Sequence, residues 1–194
     1  MTTQTSRRFR WQWPTAFVLA LLGRPLVAAD AAKLVSGVEL PPLEAQALSG
    51  DLTVLPRDAR GHGALLVIGF SKAAAKITQE WLEACRSAAQ ARSAGSGLYC
   101  YDLRMLEEVP RLFRGSVERG MRSGLPEGLQ RRTLLVYTEN EAWRKRVGAD
   151  DQDTAYVIGC DKDGRVRATA AGKFAEAELK TILEAIDPMP PSRN

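Results

Sequence analysis

The chain is poor in the residues that carry most metal and acid–base chemistry. It has one histidine, His62, and three scattered cysteines in 194 residues. A structural zinc site draws on about four clustered soft ligands, so centres of that kind are excluded and no cofactor is expected. His62 stands between Gly61 and Gly63, with no serine or cysteine that the sequence places beside it. It is read as an exposed loop histidine rather than a general base. A strong charge excess is missing too. The formal net charge is +4, but Arg7, Arg8, Arg10 and Arg24 lie in an N-terminal stretch without an acid. Setting those four aside leaves 23 basic residues against 23 acidic ones. Nucleic-acid binding, which needs a concentrated cationic surface, is not expected.

Long apolar runs are lacking beyond the N-terminus. The run from Thr15 to Gly23 is bounded by Pro14 and by Arg24-Pro25. It is shorter than the roughly 20 residues that a membrane-spanning helix needs. Behind the basic Arg7, Arg8 and Arg10, and before the small residues Val27-Ala28-Ala29, it reads as a secretory signal over residues 1–29, cut before Asp30. The string Ser6-Arg7-Arg8-Phe9 has a partial twin-arginine character, so both the ordinary and the twin-arginine export routes stay open. An uncleaved signal acting as a membrane anchor is the alternative to cleavage. The expectation is a periplasmic or secreted protein.

What is present is a globular composition, 45% apolar and 26% charged, with length for one domain. Residues 30–62 read as an extension with short edge strands: Pro41 and Pro42 restrict the first to an edge, and Leu52–Leu55 forms the second. The domain proper is expected over 63–187. The continuous run Ala64 to Phe70 suits a strand covered on both faces. From Ala73 to Ala91 the period is helical, with Ile77, Trp81, Leu82, Cys85 and Ala88 on one stripe. A strand at Leu98–Asp102, a helix or broken pair from Met105 to Gly124, and a strand at Thr133–Tyr137 follow. Asn140 is expected to cap a short helix ended by Gly148. Strands at Thr154–Cys160 and Arg165–Thr169 meet at the turn Asp161-Lys162-Asp163-Gly164, a helix runs from Phe174 to Ile186, and residues 188–194 form a disordered tail. The Asp-rich turn is too short for a calcium loop of about 12 residues. Strands alternating with helices imply an α/β, three-layer α/β/α fold with a mixed central sheet. The plan is thioredoxin-like, closing in a C-terminal β-hairpin plus helix.

The run from Thr154 through the acidic turn to Gly172 and Leu179 resembles the thioredoxin close of strand, turn, strand, glycine and helix. It is similar in particular to the thioredoxin-like assembly factors of the mitochondrial ATP synthase, the ATP-ten type. Tyr156, Asp161, Arg165, Arg167, Gly172 and Glu178 fall at the matching places. So do the strand Leu65 to Phe70, Ser71, the alanine-rich stretch and Trp81. The resemblance spans roughly residues 38–186. It implies a protein partner belonging to a membrane protein complex, such as ATP synthase.

Both halves of a thioredoxin redox site are missing. Counted from Phe70, the Cys-x-x-Cys falls on Ala75-Lys76-Ile77-Thr78, where no thiol exists to be activated. The residue before the fourth core strand, a cis-proline in thioredoxins, is Asp153 ahead of Thr154. The expected site is therefore a binding groove formed by Ser71, Lys72, Ala75, Lys76, Asp153 and Thr154, without redox chemistry. For the cysteines two readings stand: a disulfide between Cys85 and Cys100, or three buried thiols packing as small hydrophobes. Trp81 and Trp143 are read as core residues. The arginines Arg111, Arg114, Arg119, Arg122, Arg131 and Arg132, interleaved with acids, are read as a solvated face. The preferred function is an exported, non-catalytic binding or assembly protein. The alternative is a thiol-disulfide oxidoreductase or peroxidase with an atypical cysteine. A solute-binding role has no pocket signature in the sequence.

Overall fold

The computed structural model describes residues 33–92 and 97–187. The expected signal segment and C-terminal tail lie outside the described residues. Seven strands form one mixed sheet: β1 (Leu43–Ala47), β2 (Leu52–Leu55), β3 (Gly63–Gly69), β4 (Leu98–Met105), β5 (Thr133–Val136), β6 (Ala155–Cys160) and β7 (Val166–Ala171). Their order across the sheet is β2-β1-β5-β4-β3-β6-β7. β3, β4 and β5 run parallel; β6 is antiparallel to β3, and β7 to β6. The helices are α1 (Ala75–Ala91), α2 (Arg111–Gly124), α3 (Glu127–Gln130), α4 (Asn140–Val147) and α5 (Glu176–Ile186).

β3 is covered on both faces, as its unbroken apolar run requires. Leu65 and Val67 point to one side, where Trp81, Leu82 and Cys85 of α1 and Leu179, Ile182 and Ile186 of α5 cover them. Leu66 and Ile68 point to the other, against Leu34, Leu40 and Trp143. Trp81 and Trp143 are fully buried, and the Trp81 indole N–H donates to the Gly172 carbonyl at 3.1 Å. Gly159 on β6 lets α5 approach the sheet: a Cβ there would come within 2.5 Å of Ile182 Cγ2.

Several elements differ from the sequence expectation. β1 is interior rather than an edge: it pairs with β2 on one side and β5 on the other. Pro41 and Pro42 precede it and remove no ladder bond. The segment before β1 crosses the molecule, where Gly37 N–H donates to Val166 O at 2.7 Å and Val166 N–H to Val38 O at 2.8 Å. β4 runs on to Met105, so α2 starts only after Pro110, which suits the residue that opens a helix. Asn140 is the first helical residue of α4 rather than its cap; Glu139, at φ 60°, precedes it, and the Glu107 carboxylate accepts the Asn140 N–H at 2.7 Å. The basic middle of the chain is only partly a solvated face. Arg114 lies 4.1 Å over the Tyr137 ring and Arg132 3.8 Å over Tyr99. His62 is half-buried, stacked on Tyr99 with 4.2 Å between ring centroids, and is not an exposed loop residue.

Two covalent or polar ties hold the periphery. The structure joins Cys85 of α1 to Cys100 of β4, with 6.1 Å between their Cα atoms. In the hairpin between β6 and β7, Gly164 turns the chain at φ 81°. Asp161 Oδ1 accepts the N–H groups of Asp163 and Arg165, both at 2.9 Å, while Oδ2 accepts from Arg167 Nε at 2.7 Å. Burial opposes the Asp161 charge, but these bonds outweigh it and hold the carboxyl below its usual range.

Asp161→Ala should cost about 2–3 kcal/mol at neutral pH, because it strands hydrogen-bond donors in a shielded turn. The folded carboxyl titrates below the unfolded one, so its contribution is present above about pH 4 and fades as pH falls further. Urea unfolding at pH 7 and pH 3 should show the gap between wild type and variant narrowing at acid pH. Opening the disulfide, with its sequence separation of 15, should cost about 3 kcal/mol by releasing the unfolded chain. Equal midpoints with and without reductant would contradict this.

Candidate functional site

The site follows from one strand pairing. β3 and β6 are antiparallel neighbours with Gly69 opposite Ala155 and Ile68 opposite Tyr156. The turn leaving β3 and the turn entering β6 must therefore lie side by side. Ser71 and Asp153 meet there: the Ser71 hydroxyl donates to Asp153 Oδ1 at 2.7 Å and accepts the Ala74 N–H at 3.2 Å. The second turn is braced from within, since Asp153 N–H donates to Asp151 Oδ1 at 2.8 Å and the Tyr156 hydroxyl to the Asp151 carbonyl at 2.8 Å. Beneath both turns, buried Phe70 packs edge-on to Tyr156, ring centroids 5.7 Å apart.

All six residues expected in the groove lie on these two turns and the first turn of α1. Lys72, Lys76 and Asp153 are exposed, whereas Ser71, Ala75 and Thr154 are half-buried. The two walls carry opposite charge. Lys72 and Lys76 stand on the α1 side, and Asp150, Asp151 and Asp153, all exposed, on the β6 side. Sequence reasoning did not anticipate this bipolar character, although the run Asp150-Asp151-Gln152-Asp153 displays it once the turns are known to be neighbours.

No nucleophile is assembled here. The first turn of α1 holds Ala75, Lys76, Ile77 and Thr78, and Thr78 is buried with its hydroxyl donating to Ala75 O at 3.0 Å. The Ser71 hydroxyl bonds a carboxylate but no imidazole, because His62 precedes the seven-residue β3 that Ser71 follows. A hydroxyl lacking an adjacent base is a weak nucleophile. The cysteines lie elsewhere. Cys85 and Cys100 are buried together on the α1 face of the sheet, and Cys160 is a buried free thiol. Burial, helped by the Asp161 charge, pushes the Cys160 thiol up to about 12, far from the thiolate that redox chemistry needs. What the two turns offer is exposed charge of both signs.

One buried charged group was not foreseen. Asp102 on β4 is 5% exposed. Burial raises its pKa despite Arg104, whose Nε and Nη2 both reach Asp102 Oδ2 at 2.8 Å. Reading the strand as ending at Asp102 hid the Cys100-Asp102-Arg104 alternation on one face.

No family model and no curated protein matches the chain. Solved structures do. A pneumococcal exposed lipoprotein thioredoxin, Etrx1 of Streptococcus pneumoniae, is 16% identical, with TM-score 0.52 over 74% of this chain and 98% of its own. A Chlorobium tepidum protein assigned as the thiol:disulfide interchange protein DsbE is 14% identical, with TM-score 0.58 over 79% and 99%. BsSco, of the Sco family of cytochrome c oxidase assembly proteins, is 13% identical, with TM-score 0.53 over 78% and 95%. At such identities the likeness establishes the fold: α/β, thioredoxin-like, with a C-terminal hairpin and helix.

Proposed function

We propose that this chain is an exported, non-catalytic thioredoxin-like protein that binds or assembles a protein partner through the groove at Ser71, Lys72, Ala75, Lys76, Asp153 and Thr154. The observation that supports this reading is a pair of adjacent, well-braced turns on a thioredoxin-like fold with no thiol at the start of α1. In this fold that groove is where a thioredoxin grips an extended chain, and losing the dithiol removes the chemistry without removing the grip. The cationic and anionic walls favour a partner segment that carries both signs, with its acidic side toward Lys72 and Lys76.

The resemblance to ATP synthase assembly factors makes a membrane protein complex in the space receiving the exported chain the proposed partner. Among the solved structures of the same fold, BsSco likewise belongs to an assembly-protein family. The rival reading is an oxidoreductase using Cys85 and Cys100.

A photo-cross-linker placed at Ala75 in the native exporting cell should capture one dominant partner. Reversing both walls, Lys72→Glu with Asp153→Lys, should cut the cross-linked yield about tenfold or more, since two exposed ion pairs together contribute about 1–2 kcal/mol. Circular dichroism should remain unchanged. Undiminished capture by the reversed groove would sink the binding reading. Reduction of a disulfide substrate, abolished by Cys100→Ala, would establish the rival.

A further inference from the structure

We infer that a cavity between α1, β4 and the turn following α2 is a second binding site, for a small organic anion with a carboxylate or phosphate head and an apolar body. The cavity has a volume of 470 Å³, within the range of small-molecule sites. It is remote in kind from the partner groove, because none of the groove residues lines it.

The cavity exists because the sheet is incompletely covered here. α1 packs its stripe over β3 and β4, but α2 buries none of its residues fully. The chain from Gly124 to Leu129 therefore roofs the space rather than filling it. Beneath that roof, β4 turns from apolar to charged. Leu98 and Cys100 face α1, and two and four residues beyond Cys100 come Asp102 and Arg104 on the same face. An ion pair at this depth gives little net stability, since its desolvation cost rivals its attraction. Packing alone does not explain it.

The geometry of the pair leaves unused valences. Arg104 applies Nε and Nη2 to Asp102 Oδ2, each at 2.8 Å. Its Nη1 keeps two N–H donors that bond no described residue. Asp102 thereby acts as a positioning residue, fixing the plane of a guanidinium that lines the cavity. Arg86, one helical turn past Leu82 on α1, brings a second guanidinium to the same cavity and forms no salt bridge with any described residue. Two guanidinium forks lining one cavity from different elements suit a carboxylate or phosphate, which accepts paired N–H donors. Two acids also line the cavity: Asp102 Oδ1 is buried without a partner among the described residues and would accept a hydrogen bond from a protonated oxygen of the head, and Glu83 on the rim accepts from Gln79 Nε2 at 2.9 Å. Leu82, Leu129 and the Cys100 half of the disulfide supply apolar wall, so the ligand needs an apolar body as well as its head. The disulfide ties α1, which carries Arg86, to β4, which carries Arg104.

The test uses phenyl phosphate as probe on the purified full chain, followed by calorimetry and 15N–1H spectra. Phenol lacks the head and inorganic phosphate lacks the body. Phenyl phosphate should bind saturably with a Kd below about 1 mM, roughly tenfold tighter than either fragment. Arg86→Gln should weaken it about tenfold at unchanged Tm, Arg104→Gln should weaken it about tenfold and lower Tm by leaving buried Asp102 unpaired, and Lys72→Glu in the groove should leave it intact. In Asp102→Asn the Arg104 Nε–H resonance should lose its shielding from exchange, and affinity should fall with it. No saturable binding, or equal binding by both arginine variants and wild type, would overturn the inference. So would arginine-dependent binding to phosphatidylglycerol vesicles without any binding of phenyl phosphate, which would make the site a contact for lipid headgroups instead.

Discussion

The antiparallel pairing of β3 with β6 is the constraint on which the rest of the molecule depends. It makes β3 an interior strand, which forces the apolar run from Ala64 to Ile68 to be buried on both faces. It also sets the ends of two turns side by side, so that Ser71 reaches Asp153 at 2.7 Å although the residues lie far apart in sequence. A slip of one residue would exchange the two buried faces of β6, misfitting both halves of the core, and would shift the two turns out of register. Core and groove are consequences of the same register.

At the first turn of α1 the chain keeps the architecture and lacks the thiol. At β4 it retains sulfur, but as a disulfide buried under α1, and the neighbouring Asp102 and Arg104 are paired with each other. Cys160 is shielded and its thiol is held up by burial. The three cysteines therefore stabilise and pack. Among the buried side-chain atoms of the described residues, His62 Nδ1, Asp102 Oδ1, Asn140 Oδ1 and Trp143 Nε1 have no hydrogen-bond partner.

Much of the fold was legible before any coordinates. The apolar run of β3, the 3.6-residue stripe of α1 and the Asp-Lys-Asp-Gly hairpin each carry a local physical signal, and each forms where that signal lies. The failures share a cause as well. Pro41-Pro42 was taken to place β1 at an edge, yet whether a strand is an edge depends on partners that arrive from β5, nearly ninety residues later. His62 looked exposed because its flanking glycines say nothing about Tyr99, against which it stacks. β4 was cut short because a charged residue in a strand reads as its end, whereas here Arg104 satisfies Asp102 inside the protein.

By itself, then, the sequence determined the class of the fold and the lack of a Cys-x-x-Cys at Ala75–Thr78, since periodicity, turn chemistry and residue identity are local properties. It also placed six residues at the mouths of two loops. Only the tertiary structure decided that those loops, carrying opposite charge, lie side by side. Only it decided that Cys85 and Cys100 share a bond, and that Asp102, Arg104 and Arg86 surround one cavity. Each of these depends on which strands lie next to one another, a choice made by the burial of two sheet faces at once rather than by any single segment.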